Sequence, residues 1–231
     1  NVGARYKGNS SFMMGGNKKS VNLDINWRDP DARVMGYRAI NLNNAAGDST
    51  IMREVVYFNV LREYAPCPHG AMAKLMINGA YWGVYSMVDQ INNDLLDEYF
   101  PSHEGDRWRA PNVGGGTGGG GPGGGGGGGF PGGAGGGGFG GAASAFSYLG
   151  PSVSSYSNSY ELKSDNSTNA WERLLHAIDV LNNTPADQLR DKVEDVFAVD
   201  RWLWFLAVEN LFVDDDSYWN KGADYAFYFE P

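Results

Sequence analysis

A chain of 231 residues with 42% hydrophobic and 13% aromatic side chains carries enough apolar material for one large domain or two small lobes, which excludes a disordered polymer. Its 18 basic and 27 acidic residues leave a net charge of -9, excluding the cationic footprint of non-specific nucleic-acid binding and the basic stripe of a peripheral membrane protein. The single cysteine, Cys67, excludes an intramolecular disulfide, and no apolar run of about 18 residues is present to cross a bilayer.

The first part, residues 1–113, reads as strand-rich with one good helix. Strands are predicted over Val2–Lys7, Lys19–Ile25 and Tyr37–Leu42; in the second, Val21, Leu23 and Ile25 alternate with Asn22 and Asp24, the period of a strand with one buried face. Gly8-Asn9-Ser10-Ser11 and Gly15-Gly16-Asn17-Lys18-Lys19-Ser20 are small-residue turns beside strands. They match neither the P-loop nor the glycine pattern of ordinary kinases, yet a small-residue turn before a strand-borne lysine is how kinases cover and pair phosphates. Neighbouring strand residues face opposite ways, so at most one of Lys18 and Lys19 reaches a shared site. Asp48-Ser49-Thr50 supplies capping chemistry for a helix from Ile51 to about Tyr64, with Arg53 and Glu54 in its first turn and Pro66 and Pro68 beyond its end. Glu54 is placed to pair with the lysine.

A hairpin follows, Ala71–Ile77 and Tyr81–Val88 around Asn78-Gly79, the dipeptide that tolerates positive φ at both central positions. A short helix over about Asn92–Phe100 then leads into a connection. Of the 34 glycines, 22 fall between 114 and 141 with no triplet period; that segment reads as a flexible insertion, because fixing so much glycine backbone has a large entropy cost and little apolar burial to offset it.

The last part, residues 142–231, reads as mainly helical. Helical spacing covers Asn169–Leu181; Thr184-Pro185 opens a second helix with Thr at the cap and Pro at the first helical position; Asp200 caps a third through Leu211 that is apolar nearly all round, the mark of a buried helix. It runs into Asp214-Asp215-Asp216, with Asp224 opening a strand over Tyr225–Phe229. Carboxylates are disfavoured at a helix C-terminus and repel one another unless a cation or solvent compensates. Oxygen-rich clusters of this kind suit Mg²⁺, with Lys221 near enough in sequence to meet a phosphate. The chain begins at Asn1 and stops just after a strand, so it reads as an internal stretch of a longer protein.

These motifs resemble the CotH kinase family, the atypical protein kinases related to spore coat protein H. Tyr6-Lys7-Gly8-Asn9-Ser10-Ser11 with Lys18-Lys19-Ser20 resembles the family's opening, and Met52-Arg53-Glu54 its helix. The hairpin Leu75-Met76-Ile77-Asn78-Gly79-Ala80-Tyr81-Trp82-Gly83-Val84-Tyr85 is the most specific match; Glu209-Asn210-Leu211-Phe212 with Asp214 to Tyr218 resembles the catalytic region, and Asp224-Tyr225 stands where many members have Asn-Tyr. The resemblance implies an α+β, divergent protein-kinase-like fold with a strand-rich N-terminal lobe and a mainly helical C-terminal lobe. It implies use of ATP with Mg or Mn, and a secreted or spore-coat protein substrate with a Ser or Thr acceptor. It makes Lys18 or Lys19 the phosphate-pairing lysine, Glu54 its helix partner, and Asp216 the catalytic aspartate. Asn9, Ser10, Ser11, Arg53, Asp89 and Lys221 become nucleotide contacts, Asp89 on the adenine side, and Asp214, Asp216 and Asp224 the metal ligands. A non-catalytic coat or surface module that keeps the fold, or a metal-dependent hydrolase using the same carboxylates, are the alternative readings.

Overall fold

Residues 2–8, 12, 16–111, 145–164, 167–214 and 216–231 are described by the computed structural model. Asn9, Ser10, Ser11 and the glycine-rich segment predicted over 114–141 lie outside these residues. The chain divides into two compact units, the first essentially Asn1–His103 with Ala198–Phe212, the second Glu104–Phe197 with Val213–Phe229.

The first unit is built on a five-stranded antiparallel sheet: β1 (Gly3–Lys7), β2 (Ser20–Asp24), β3 (Ala39–Asn43), β4 (Gly70–Ile77) and β5 (Ala80–Asp89), in the order β1-β2-β3-β5-β4. Strand periodicity sorts its side chains onto two faces. Val21 pairs with Leu42, Leu23 with Ile40, Leu42 with Met87 and Ala73 with Tyr85, giving an apolar face centred on the buried Ile40, Leu42 and Tyr85. On the opposite face Asn22 pairs with Asn41, Asn41 with Val88 and Asn43 with Ser86. The predicted hairpin turn is present, with φ of 51° at Asn78 and 81° at Gly79.

Helix α1 (Arg53–Leu61) links β3 to β4 and is shorter than predicted. Ile51 takes a positive φ of 61°, so the helix starts two residues later. Asp48 still serves its start: one carboxylate oxygen accepts from the Thr50 amide at 2.9 Å and the other from the Arg53 amide at 2.9 Å. Helix α2 (Asn93–Tyr99) is capped by Asn92, whose Oδ1 accepts from the Asp94 amide, and buries Leu95 and Leu96. An Asp94–Arg38 ion pair ties it to the edge of β3.

The second unit holds α3 (Ala170–Asn183), α4 (Ala186–Val193), the short α6 (Tyr218–Lys221) and a small sheet of β6 (Asp106–Ala110), β7 (Glu161–Leu162) and β8 (Tyr225–Phe229), ordered β7-β6-β8. Strand β6 occupies what the sequence reads as a connection. Its core is aromatic: Trp108, Tyr156, Tyr160 and Phe146 are buried with Leu174 and Ile178, and Phe227 stacks on Trp108. Gly105 permits the closure of this sheet, because a Cβ there would lie 2.0 Å from the Phe229 carbonyl oxygen. Pro185 stands just before α4, not at its first helical position; its carbonyl accepts from the Gln188 and Leu189 amides.

Helix α5 (Val199–Phe212) corrects two expectations. Asp200 lies inside its first turn and does not cap it. The helix is not buried all round either: only Val208 and Glu209 are buried, while Leu203 and Leu211 are 61% and 73% exposed. A single stripe, Phe205, Val208 and Phe212, packs on Leu61, Ala65 and Cys67 beyond and within α1, and one stripe is all a single neighbouring layer can cover. Among the described residues no helix is long and apolar enough to cross a membrane.

Candidate functional site

The polar face of the first sheet is where this unit departs from ordinary strand chemistry. Ser20, Asn22 and Ser86 are buried there, at 5%, 6% and 1% exposure. Burying such groups costs free energy unless hydrogen bonds replace water, so the bonds identify what the face is built around. Arg5 Nε donates to Asn22 Oδ1 at 3.1 Å, and Asn22 Nδ2 donates to Asn41 Oδ1 at 3.1 Å and to Gln90 Oε1 at 3.3 Å. Ser20 Oγ donates to Asn44 Oδ1 at 3.0 Å, and Asn44 Nδ2 donates to the Lys18 carbonyl at 2.9 Å. Ser86 Oγ is buried with no hydrogen-bond partner among the described residues.

Helix α1 brings Glu54 to this face. Asn43 Nδ2, from the end of β3, donates to Glu54 Oε1 at 2.6 Å. Glu54 is thus held by a neutral amide of β3, while the Lys18 ammonium lies on the other face, 4.9 Å from the centroid of the Tyr85 ring. Partial burial there lowers the Lys18 pKa from its ordinary value. The Lys19 ammonium donates to the Phe12 carbonyl at 2.6 Å and sits over the Phe12 ring. Arg53 points to solvent with an 80% exposed side chain, 3.8 Å from Asp48. The Thr50 hydroxyl, then the Arg53 amide, hold the Asp48 carboxyl down to about 2.

Asp89 ends β5 opposite Ile40, which places it on the apolar face. It is buried, accepts from the His69 amide through Oδ1, and its Oδ2 has no hydrogen-bond partner among the described residues. Burial raises its pKa, with the His69 amide opposing. The cavity beside it, lined by Met35, Tyr37, Ile40, His69, Ala71, Met87 and Asp89, measures about 40 Å³. That is room for water. His69 bridges outward, with Nε2 3.0 Å from Glu98 and Nδ1 2.8 Å from the Tyr37 hydroxyl. The Cys67 thiol is buried and pushed up to about 12 by desolvation, which makes it unreactive.

The acidic turn belongs to the second unit. Val213 adopts φ of 52°, Asp214 Oδ1 accepts from the Asp216 amide at 3.3 Å, and the Asp214 carbonyl accepts from the Trp219 indole at 2.9 Å. Asp216 and Asp224 flank α6; Gly222 ends it with φ of 63°, and the Asp224 amide, at φ 59°, donates to the Ala110 carbonyl of β6. Among the described residues no three His, Cys, Asp or Glu side chains gather in a metal-binding group, so the triad of Asp214, Asp216 and Asp224 is not assembled as one. The Lys221 side chain lies outside the described ones.

The model of the family described as CotH kinase protein matches residues 4–230. The chain belongs to the CotH kinase family. No curated protein matches it.

Membership in the CotH kinase family implies ATP and a divalent metal as cofactors. Mg²⁺ is commonly held by one or two carboxylates together with water and substrate phosphates, so a full protein triad is not required. The oxygen donors Asp216 and Asp224 fit that chemistry. What the sequence reading of this CotH family chain passes over is the amide face: Asn22, Asn41, Asn43 and Gln90. The signal was present, since Asn41 and Asn43 alternate with Ile40 and Leu42 as Asn22 does with Val21 and Leu23. Alternation alone reads the polar set as a solvent face.

Proposed function

We propose that the chain is an atypical protein kinase that transfers the γ-phosphate of ATP, with Mg or Mn, to a Ser or Thr hydroxyl of a secreted or spore-coat protein. The observation that carries this reading is the first unit's plan. A five-stranded antiparallel sheet is followed, between β3 and β4, by a helix whose glutamate bonds a β3 side chain. Protein kinases place a lysine on β3 and a glutamate on the next helix; here the β3 partner of the helix glutamate is Asn43. Together with the family match over residues 4–230, this supports a divergent kinase-like fold.

In the proposed reaction the acceptor oxygen forms a bond to the γ-phosphorus as the bond to the ADP oxygen breaks. Asp216 orients the acceptor hydroxyl and takes its proton. Asp216 and Asp224 would hold the divalent cation, which would supply positive charge to neutralise the phosphates. Lys18 or Lys19 pairs with phosphate oxygens, Glu54 fixes α1 against β3 through Asn43, and Asn9, Ser10 and Ser11 line the phosphate turn. Arg53, Asp89 and Lys221 remain proposed nucleotide contacts. Incubating the full chain with labelled ATP, Mn²⁺ or Mg²⁺ and a Ser-rich acceptor protein should label the acceptor, and Asp216→Asn should abolish the labelling. No metal-dependent labelling by the wild type would overturn the proposal.

One observation favours the second reading, a non-catalytic coat module: Glu54 is engaged by a neutral amide and Lys18 lies on the opposite face of the sheet. That reading gains if Asp216→Ala leaves every activity and phenotype unchanged.

A further inference from the structure

A pocket of about 180 Å³ lies in the first unit where the chain leaves α1, beside the last residue of α2 and the first turn of α5. None of the proposed kinase residues lines it. Its aromatic wall is Tyr64, whose ring stacks on Trp204 with centroids 4.2 Å apart and planes 18° from parallel. Both rings nevertheless stay exposed, Tyr64 at 44% and Trp204 at 46%. Stacking holds the Tyr64 ring in one orientation, so a ligand lying on it has little side-chain freedom to remove. The polar walls carry opposite charges that do not neutralise one another. Glu63 and Arg201 both line the pocket, both are exposed, and neither enters an ion pair among the described residues. The Arg201 guanidinium lies 5.7 Å from the Phe100 ring centroid, and Arg62 is drawn to Glu98 at 3.5 Å. The Tyr99 hydroxyl donates to the Cys67 carbonyl at 3.1 Å, which leaves its oxygen able to accept. The end of α1 adds carbonyl acceptors.

This mixture selects against a charged ligand. An anion would meet Glu63, Glu98 and the negative end of the α1 dipole as well as the arginines, and a cation would meet Arg62 and Arg201. A zwitterion gains little, because Glu63 and Arg201 are solvated and their charges are screened. A neutral polyhydroxyl ring uses every wall. Its hydroxyls donate to Glu63 and accept from Arg201, and its axial C–H bonds, weakly positive, lie against the negative face of the Tyr64 ring. The volume equals about six waters in the liquid, enough for one sugar ring. We infer that this pocket binds a single hexopyranose unit, stacked on Tyr64 and held through its hydroxyls by Glu63 and Arg201. A free monosaccharide and the end of a glycan present the same chemistry. The inference goes beyond the kinase reading and does not depend on it.

Four probes titrated into the full chain by NMR test this. Methyl β-glucoside has equatorial hydroxyls and a flat face of axial C–H bonds, and cellotetraose presents the same unit on a glycan. Mannitol has the hydroxyls without the ring, and phenylalanine carries a zwitterion with an aromatic ring. Wild type is expected to bind methyl β-glucoside with a dissociation constant on the order of 1–10 mM, and mannitol and phenylalanine at least about 10-fold more weakly. Tyr64→Ala should weaken glucoside binding by about 10-fold or more, while Tyr64→Phe, which keeps the ring, should stay within about 3-fold of wild type. Glu63→Gln and Arg201→Gln, both at exposed positions, should each weaken it by about 3- to 10-fold, with unfolding midpoints checking that every variant is folded. Tighter binding of cellotetraose than of the glucoside upholds the site and makes a glycan its source; equal binding upholds it for the single sugar. No saturable binding of either sugar by the wild type overturns the inference, as does mannitol or phenylalanine binding as tightly as the glucoside. So does unchanged affinity in folded Tyr64→Ala. Should that variant not fold, unchanged affinity in both Glu63→Gln and Arg201→Gln overturns it instead.

Discussion

Replacing Gly70 by alanine should push α1 away from the sheet and weaken the bond between Glu54 and β3. The first residue of β4 has no room for a side chain: a Cβ there would stand 2.9 Å from Val55 Cα and 3.2 Å from the Val55 carbonyl oxygen, both backbone atoms of α1. Comfortable carbon–carbon separation is about 3.5–4.0 Å, so the helix must retreat by roughly 0.6–1 Å. Glu54 precedes Val55, and its 2.6 Å bond from Asn43 then lengthens to as much as about 3.2–3.6 Å, the weak end of the hydrogen-bonding range. Overpacking of this kind costs about 1–3 kcal/mol, offset in part by the lower chain entropy of alanine in the unfolded state, about 0.4–1 kcal/mol. With the weakened carboxylate bond added, the net loss is about 2 kcal/mol. Urea unfolding of Gly70→Ala, Glu54→Ala and the double variant measures it. Because the retreat already weakens the bond that Glu54→Ala removes, the double variant should be more stable than the sum of single effects by about 0.5–1 kcal/mol. A Gly70→Ala protein within about 0.5 kcal/mol of wild type, or strict additivity with Glu54→Ala, refutes the argument that this close approach positions α1.

Two further predictions follow from buried carboxylates. Burial raises the folded-state pKa of Asp89, so its contribution to stability is full below the ordinary value of 3.8 and is lost as pH rises through the folded-state pKa. Asp89→Asn keeps an acceptor for the His69 amide and removes the charge; it should raise the melting temperature at pH 7 and give no gain at pH 3, and a variant that melts lower at pH 7 would contradict the assignment. Asp106 is fully buried, 2.9 Å from Arg173 and 2.6 Å from the Ser167 hydroxyl that donates to it. Asp106→Ala removes one partner of this ion pair and should cost about 3 kcal/mol in denaturant unfolding. Asp106→Asn, which retains the Ser167 acceptor, should cost less, and equal losses in the two would show that the charge contributes nothing.

Much of the sheet was legible because its information is local. The alternation in Val21–Ile25 and the Asn78-Gly79 turn each lie within a few residues, and both appear where expected. The failures are non-local. Strand β6 reads as Asp-Arg-Trp-Arg-Ala, too charged for a buried strand until Arg173, 67 residues away, comes to Asp106. Helix α5 is apolar on several sides, but sequence does not say how many sides will find a partner, and Leu203, Trp204 and Leu211 find none among the described residues that buries them.

The candidate site was legible in its residue types and not in its faces. By strand parity Lys18 belongs with Ser20 and Asn22 on the polar face. It precedes β2, however, and its side chain turns to Tyr85 past Gly83, where a Cβ added to the glycine would stand 3.5 Å from Lys18 Cε. That separation is ordinary contact, so what asks for glycine at position 83 is its backbone φ of 127°. The polar face itself breaks the rule that a covered sheet surface is apolar, and it breaks it in one patch: Ser20, Asn22, Asn41, Asn43 and Ser86 are all there. Scattered exceptions would be ordinary tolerance. On that face Asn22, Asn41 and Asn43 are held by hydrogen bonds to Arg5, to one another and to Glu54 in place of apolar packing.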